Sequence, residues 1–139
     1  MTGGTYTLVI ELAHPTTVEV GALGEIRFPA GGYAYTGSAF GPGGFSRVDR
    51  HYELAAGERD TRHWHIDYLL GDTDAAIRGD VRTPDGDIEC QVAAELPDGP
   101  TPGFGASDCE CSSHLAYDED AGRLRDAVAT AHRGIEPSP

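Results

Sequence analysis

Residues 5–12 read TYTLVIEL, a compact apolar run rich in β-branched side chains. Its length and composition predict a central strand, ended by His14-Pro15. Working outward, residues 16–20 (TTVEV) alternate as a strand does, and residues 23–28 (LGEIRF) form another strand between glycines. Residues 32–39 (GYAYTGSA) predict a further strand with small residues at its exit. Gly41-Pro42-Gly43-Gly44 reads as a loop, and with no GK[ST] after it the loop lacks the phosphate-binding signature.

Ser46 starts a helix that Gly57 ends, with Val48, Tyr52 and Ala55 on one face. Arg47, His51 and Leu54 share the neighbouring face at spacings of four and three. Residues 63–70 (HWHIDYLL) fit two readings, a strand alternating at Trp64, Ile66 and Tyr68, or a short buried helix. Residues 75–82 and 88–94 predict a hairpin around Pro84-Asp85-Gly86-Asp87, followed by a Pro- and Gly-rich loop over 96–107. Residues 118–132 predict a helix with Leu124, Val128 and Ala131 on its apolar face, and 136–139 a frayed tail. With no internal repeat or linker, the pattern predicts one small α+β domain over residues 1–135.

The chain of 139 residues sets 23 Asp and Glu against 10 basic residues, all Arg, for a net charge of -13. No apolar run approaches the roughly 18 residues that suggest a membrane helix. The N-terminus lacks the basic and apolar regions of a secretory signal. Three cysteines argue against a disulfide framework and for a reducing cytoplasm. A charge of this sign ordinarily disfavours nucleic acid. Abundant Asp and Glu without Lys, however, is similar to proteins of salt-loving archaea. At 1 M salt the Debye length is about 3 Å, so only local charge matters. Locally, residues 26–48 hold no Asp or Glu but do hold Arg27 and Arg47.

Before, within and just after that stretch lie Gly4-Thr5-Tyr6, then Tyr35-Thr36-Gly37-Ser38-Ala39, then Arg47 with Arg50-His51. This ordered set resembles the GIY-YIG nuclease superfamily. Residues 63–69, Glu89-Cys90 and residues 103–115 (GFGASDCECSSHL) resemble an uncharacterised, mainly archaeal branch of it. Members of that branch occur alone or fused to glycosylases resembling endonuclease III. The resemblance implies a mostly antiparallel central sheet flanked by helices, with the two tyrosines side by side on neighbouring strands.

It further implies that Tyr6 or Tyr35 deprotonates or orients a water, and that Arg47 grips the phosphate. His51 would then move a proton or bind phosphate. A phenol with a pKa near 10 needs a nearby cation or metal for such work at neutral pH. Gly37, Ser38 and Arg50 would lie on the substrate side. The superfamily holds Mg²⁺ or Mn²⁺ with a Glu on a helix after its third core strand. Here a loop begins at Leu96 instead, leaving Glu89, Asp108 and Glu110 as candidate ligands.

Cys90, Cys109, Cys111 and His114 supply three thiolates and an imidazole, enough for a tetrahedral Zn²⁺ site. The same residues also read as buried small hydrophobes, or Asp108 and His114 as active-site groups. His63-x-His65-x-Asp67 looks superficially like a metallo-hydrolase motif, but its aromatic neighbours indicate packing. His65 and Asp67 then read as a structural or supporting pair.

The expected function is a metal-dependent endonuclease acting on DNA, structure- or lesion-selective, in repair or recombination. It would work in the cytoplasm, without membrane, beside a repair glycosylase or other repair partner. The alternative is a non-catalytic nucleic-acid-binding or adaptor domain with a zinc-stabilised Cys/His site.

Overall fold

The computed structural model describes residues 4–20, 24–38, 46–58, 65–84, 92, 96 and 115–134. Four strands form the main sheet: β1 (Gly4–Leu12), β4 (Gly31–Ser38), β5 (Ala76–Pro84) and β6 (Leu115–Asp118). Their spatial order is β5-β1-β4-β6, and each neighbouring pair is antiparallel. The short strands β2 (Thr16–Glu19) and β3 (Glu25–Phe28) pair separately. Three helices are described, α1 (Ser46–Ala55), α2 (His65–Gly71) and α3 (Ala121–Gly134). The protein is thus a small α+β domain.

The strand at residues 5–12 is central because both of its faces are covered. Side chains alternate across a strand, so Tyr6, Leu8, Ile10 and Leu12 enter one core. That core also takes Val48 and Leu54 of α1, Ile66, Leu69 and Leu70 of α2, and Val18, Ile26 and Phe28 of β2 and β3. Val9 points the other way, into a second core with Ala34, Leu124, Val128 and Ala131. The sheet is therefore sandwiched, with α1, α2 and the β2–β3 pair on one face and α3 on the other.

Local chemistry sets the ends of α3. Asp120 caps it, its Oδ1 accepting the Arg123 backbone N–H at 3.1 Å. The cap moves the helix start beyond Asp118, where the sequence pattern began it. Residues 115–118 are instead a strand on the edge of β4. Gly32 lets α3 approach so closely: a Cβ there would lie 2.6 Å from the Ala121 Cα. On the other core, the Tyr33 and Tyr117 hydroxyls donate to the carbonyls of Pro29 and Ala30 at 2.5 and 2.6 Å, fixing the entry to β4.

Two other sequence expectations are corrected or resolved. Residues 75–82 do form a strand, but its described partner is β1, where Leu8 stands opposite Asp80. Val92, the one described residue of 88–94, is helical and buried in the second core, so that stretch is not extended there. Residues 63–70 resolve in favour of helix from His65, because Ile66, Leu69 and Leu70 meet the core at helical spacing. Residues 96–107 and 136–139 otherwise lie outside the described residues, save Leu96, which is buried.

Candidate active site

Antiparallel pairing of β1 with β4 sets Tyr6 opposite Gly37 and Leu8 opposite Tyr35. Opposite residues project to the same face, so both tyrosines lie on the α1 side. Their ring centroids are 6.5 Å apart, tilted by 53°. Gly37 makes room for them. A Cβ at that position would lie 2.7 Å from the Tyr6 hydroxyl oxygen and 3.3 Å from the Tyr35 ring. Any larger residue there would push Tyr6 aside.

The third ring comes from α1. His51 is fully buried, its centroid 5.6 Å from Tyr6 and 6.0 Å from Tyr35. Its Nε2 shares a 2.7 Å hydrogen bond with the Tyr6 hydroxyl, the direction depending on the imidazole tautomer. The sequence pattern groups Val48, Tyr52 and Ala55 on one face of α1 and Arg47, His51 and Leu54 on the neighbouring one. The deepest residues are instead Val48, His51 and Leu54, and Tyr52 and Ala55 are only partly buried. His51 thus enters the core between the two faces and meets Tyr6.

Arg50 and Asp67 join the two helices. The guanidinium donates twice to the carboxylate, at 3.1 and 2.9 Å, and the Asp67 side chain is fully buried. Two-point geometry of this kind suits Arg and not Lys. Arg50 thus has a structural partner beside its expected substrate role, and Asp67 pairs with it across the two helices. Arg47 lies in the first turn of α1, Ser38 ends β4, and His65 opens α2.

A group that sequence reasoning missed lies across β1 from Leu8 and Tyr6. Asp80 and Arg82 of β5 stand opposite these residues. The Arg82 Nε donates to one Asp80 oxygen at 2.7 Å, and the Tyr52 hydroxyl of α1 donates to the other at 2.7 Å. Burial, then the bond to Asp80, pushes the Tyr52 phenol up to about 12. Burial alone would raise Asp80, but the bonds from Arg82 and Tyr52 outweigh it and hold the carboxyl below its usual range. The available signal was the i, i+2 spacing, which places Asp80 and Arg82 on one strand face.

On the opposite face, His132 of α3 is buried between two hydroxyls. Thr7 Oγ1 lies 2.8 Å from its Nε2 and Thr83 Oγ1 2.7 Å from its Nδ1, while Thr36 bonds Thr7 at 3.0 Å. Burial without a counter-charge in these bonds holds the imidazole pKa below its ordinary value.

The candidate metal ligands Glu89, Asp108, Glu110, Cys90, Cys109, Cys111 and His114 lie outside the described residues. The described cluster brings two phenols and an imidazole. That set handles protons, whereas a hard divalent ion takes carboxylate oxygens.

Comparison with known families finds a match over residues 5–136 to a family described as Domain of unknown function DUF123. No curated protein and no solved structure matches the chain.

Proposed function

The chain belongs to the DUF123 family, and from that premise and its buried ring cluster we propose a metal-dependent endonuclease that hydrolyses phosphodiester bonds of DNA. We infer further that the family is a branch of the GIY-YIG superfamily. The observation that carries this reading is the 2.7 Å hydrogen bond between Tyr6 and His51, beside Tyr35 and over Gly37.

Hydrolysis needs a water stripped of a proton, a bound phosphate and a stabilised leaving oxygen. A neutral His51 accepting at Nε2 polarises the Tyr6 O–H. As water attacks phosphorus, its proton passes to the Tyr6 oxygen while the Tyr6 proton passes to His51. The sugar oxygen leaves with the electron pair of the breaking P–O bond as the new one forms and takes a proton from solvent, and the imidazolium returns its own proton to solvent. Tyr35 packs edge-on to His51 and holds the imidazole in line. Arg47, in the first turn of the same helix, is assigned to the phosphate, where a guanidinium binds two oxygens at once. Gly37 keeps the Tyr6 ring seated, and Ser38 follows it toward the substrate side. Arg50 holds α1 against α2, so its contribution to binding is to position the helix.

A bound Mg²⁺ or Mn²⁺ would supply Lewis acidity on the phosphate oxygens. Its ligands are sought among Glu89, Asp108 and Glu110. The acidity of the chain supports a cytoplasm of high salt, as in salt-loving archaea, with a repair glycosylase as a further partner. Zn²⁺ at Cys90, Cys109, Cys111 and His114 belongs to the same proposal as a stabilising site.

The test is a panel of flap, mismatched, single-stranded and lesion-bearing DNA in molar KCl with Mg²⁺ or Mn²⁺. Cleavage of one of these, lost in Arg47→Ala and Tyr35→Phe, is the expected result. No cleavage, or cleavage indifferent to both substitutions, would overturn the reading. A second reading draws on the burial of Tyr6 and His51: a nucleic-acid-binding or adaptor domain that does not cut. The same panel separates the two, since this reading predicts binding without cleavage.

A further inference from the structure

The Tyr52–Asp80–Arg82 chain lies outside the Tyr6–His51 pair, and its size argues that it is not there for stability. An ion pair as exposed as Arg82 with Asp80, whose side chains keep 39% and 16% of their surface, contributes about 1 kcal/mol or less. Its geometry has another consequence. Arg82 is the residue directly opposite Tyr6 on β5. In such pairs the Cβ atoms lie about 5 Å apart. The base of the Arg82 side chain is therefore beside the base of the Tyr6 side chain, on the α1 face.

Arg50 and Arg82 both lie on this side of the sheet, and their settings differ. Arg50 is 15% exposed and gives two donors to the buried Asp67. Arg82 commits its Nε to Asp80, and its side chain reaches solvent beside the proposed cleavage cluster. Asp80 is itself held by the Tyr52 hydroxyl, one residue after His51 on α1. A long side chain held in one place in advance loses less entropy on binding. A guanidinium so held matches the two-oxygen geometry of a phosphate. The Asp80 charge is offset within the chain by Arg82 and the Tyr52 donor.

We propose that Arg82 is a substrate-contacting residue of the nuclease site, binding a DNA backbone phosphate beside Tyr6 while Asp80 and Tyr52 hold it in position. This assignment rests on the endonuclease reading above and extends the site from α1 and β4 onto β5.

The experiment is fluorescence anisotropy of the full chain on a labelled DNA flap, without divalent metal, across a series of KCl concentrations. Each phosphate contact adds about 0.9 to the slope of log K against log salt on duplex DNA. Arg82→Ala is expected to weaken binding roughly 10-fold and to make the slope shallower by about 1. Arg82→Lys keeps the slope and loses part of the affinity. Tyr52→Phe, which leaves every charge in place, weakens binding with the slope unchanged. Near-UV circular dichroism confirms that each variant is folded. If Arg47→Ala weakens binding while Arg82→Ala leaves affinity and slope as in the parent protein, the assignment of Arg82 is overturned and the endonuclease reading stands. If the parent protein binds no DNA at any salt, both fall.

Discussion

Tyr6 on β1 and His51 on α1, forty-five positions apart in the chain, meet in a buried 2.7 Å hydrogen bond. Gly37 on the adjacent strand makes that contact possible, since a Cβ there would overlap the Tyr6 hydroxyl at 2.7 Å and its Cζ at 2.9 Å. Tyr6 is 1% exposed and has no room to swing away. Gly37→Ala is therefore expected to displace the ring, break the bond to His51 and cost about 1–3 kcal/mol of stability. Urea unfolding measures the cost, and the His51 imidazole resonances report the lost bond. A variant with parental stability and an unchanged imidazole spectrum would show that the ring has room.

The Arg50–Asp67 pair yields a prediction about asymmetry. Removing the cation leaves a fully buried carboxylate without its two-point partner, a change that costs about 3–5 kcal/mol. Arg50→Ala is expected to lose stability on that scale. The double variant Arg50→Met with Asp67→Leu removes both charges together and is expected to lose much less. Chemical denaturation of both variants checks this, and equal losses would contradict it.

His132 predicts a pH dependence. Burial lowers its folded pKa beneath the unfolded value of about 6.5. The neutral ring is thus favoured by folding, and its contribution is fully present above the unfolded pKa. It is lost as pH falls through the lowered folded pKa. The groups that bond the ring are the Thr7 and Thr83 hydroxyls, which bring no charge to offset a cation. His132→Gln keeps a polar side chain but does not titrate. Between about pH 7.5 and pH 5 the parent protein should lose more stability than this variant. Parallel losses in the two proteins would contradict the prediction.

The residues show which of these features a sequence can disclose. β1 was legible because its apolar run is unbroken, and one residue of phase divides it between the two cores, Leu8 into one and Val9 into the other. The α+β class followed from the same periodicities. The burial of His51 was not legible, because His51 counts as polar in any pattern and its bond to Tyr6 joins residues forty-five positions apart. The β5 strand could be seen, but not its partner, since register between distant strands leaves no local trace. Arg82 was passed over for that reason: its importance lies in being opposite Tyr6. The helix over residues 118–132 was legible, but its start was placed at Asp118, which ends a strand, whereas the cap belongs to Asp120.

The account rests on Tyr6 and His51 handling the proton of the attacking water. The most direct test is single-turnover cleavage of a DNA substrate by Tyr6→Phe, with binding measured on the same DNA. The phenyl ring fills the same space but cannot accept or pass a proton. The account predicts that cleavage slows by about 100-fold or more while DNA affinity stays within about twofold of the parent protein. Cleavage at the parental rate by Tyr6→Phe would contradict it.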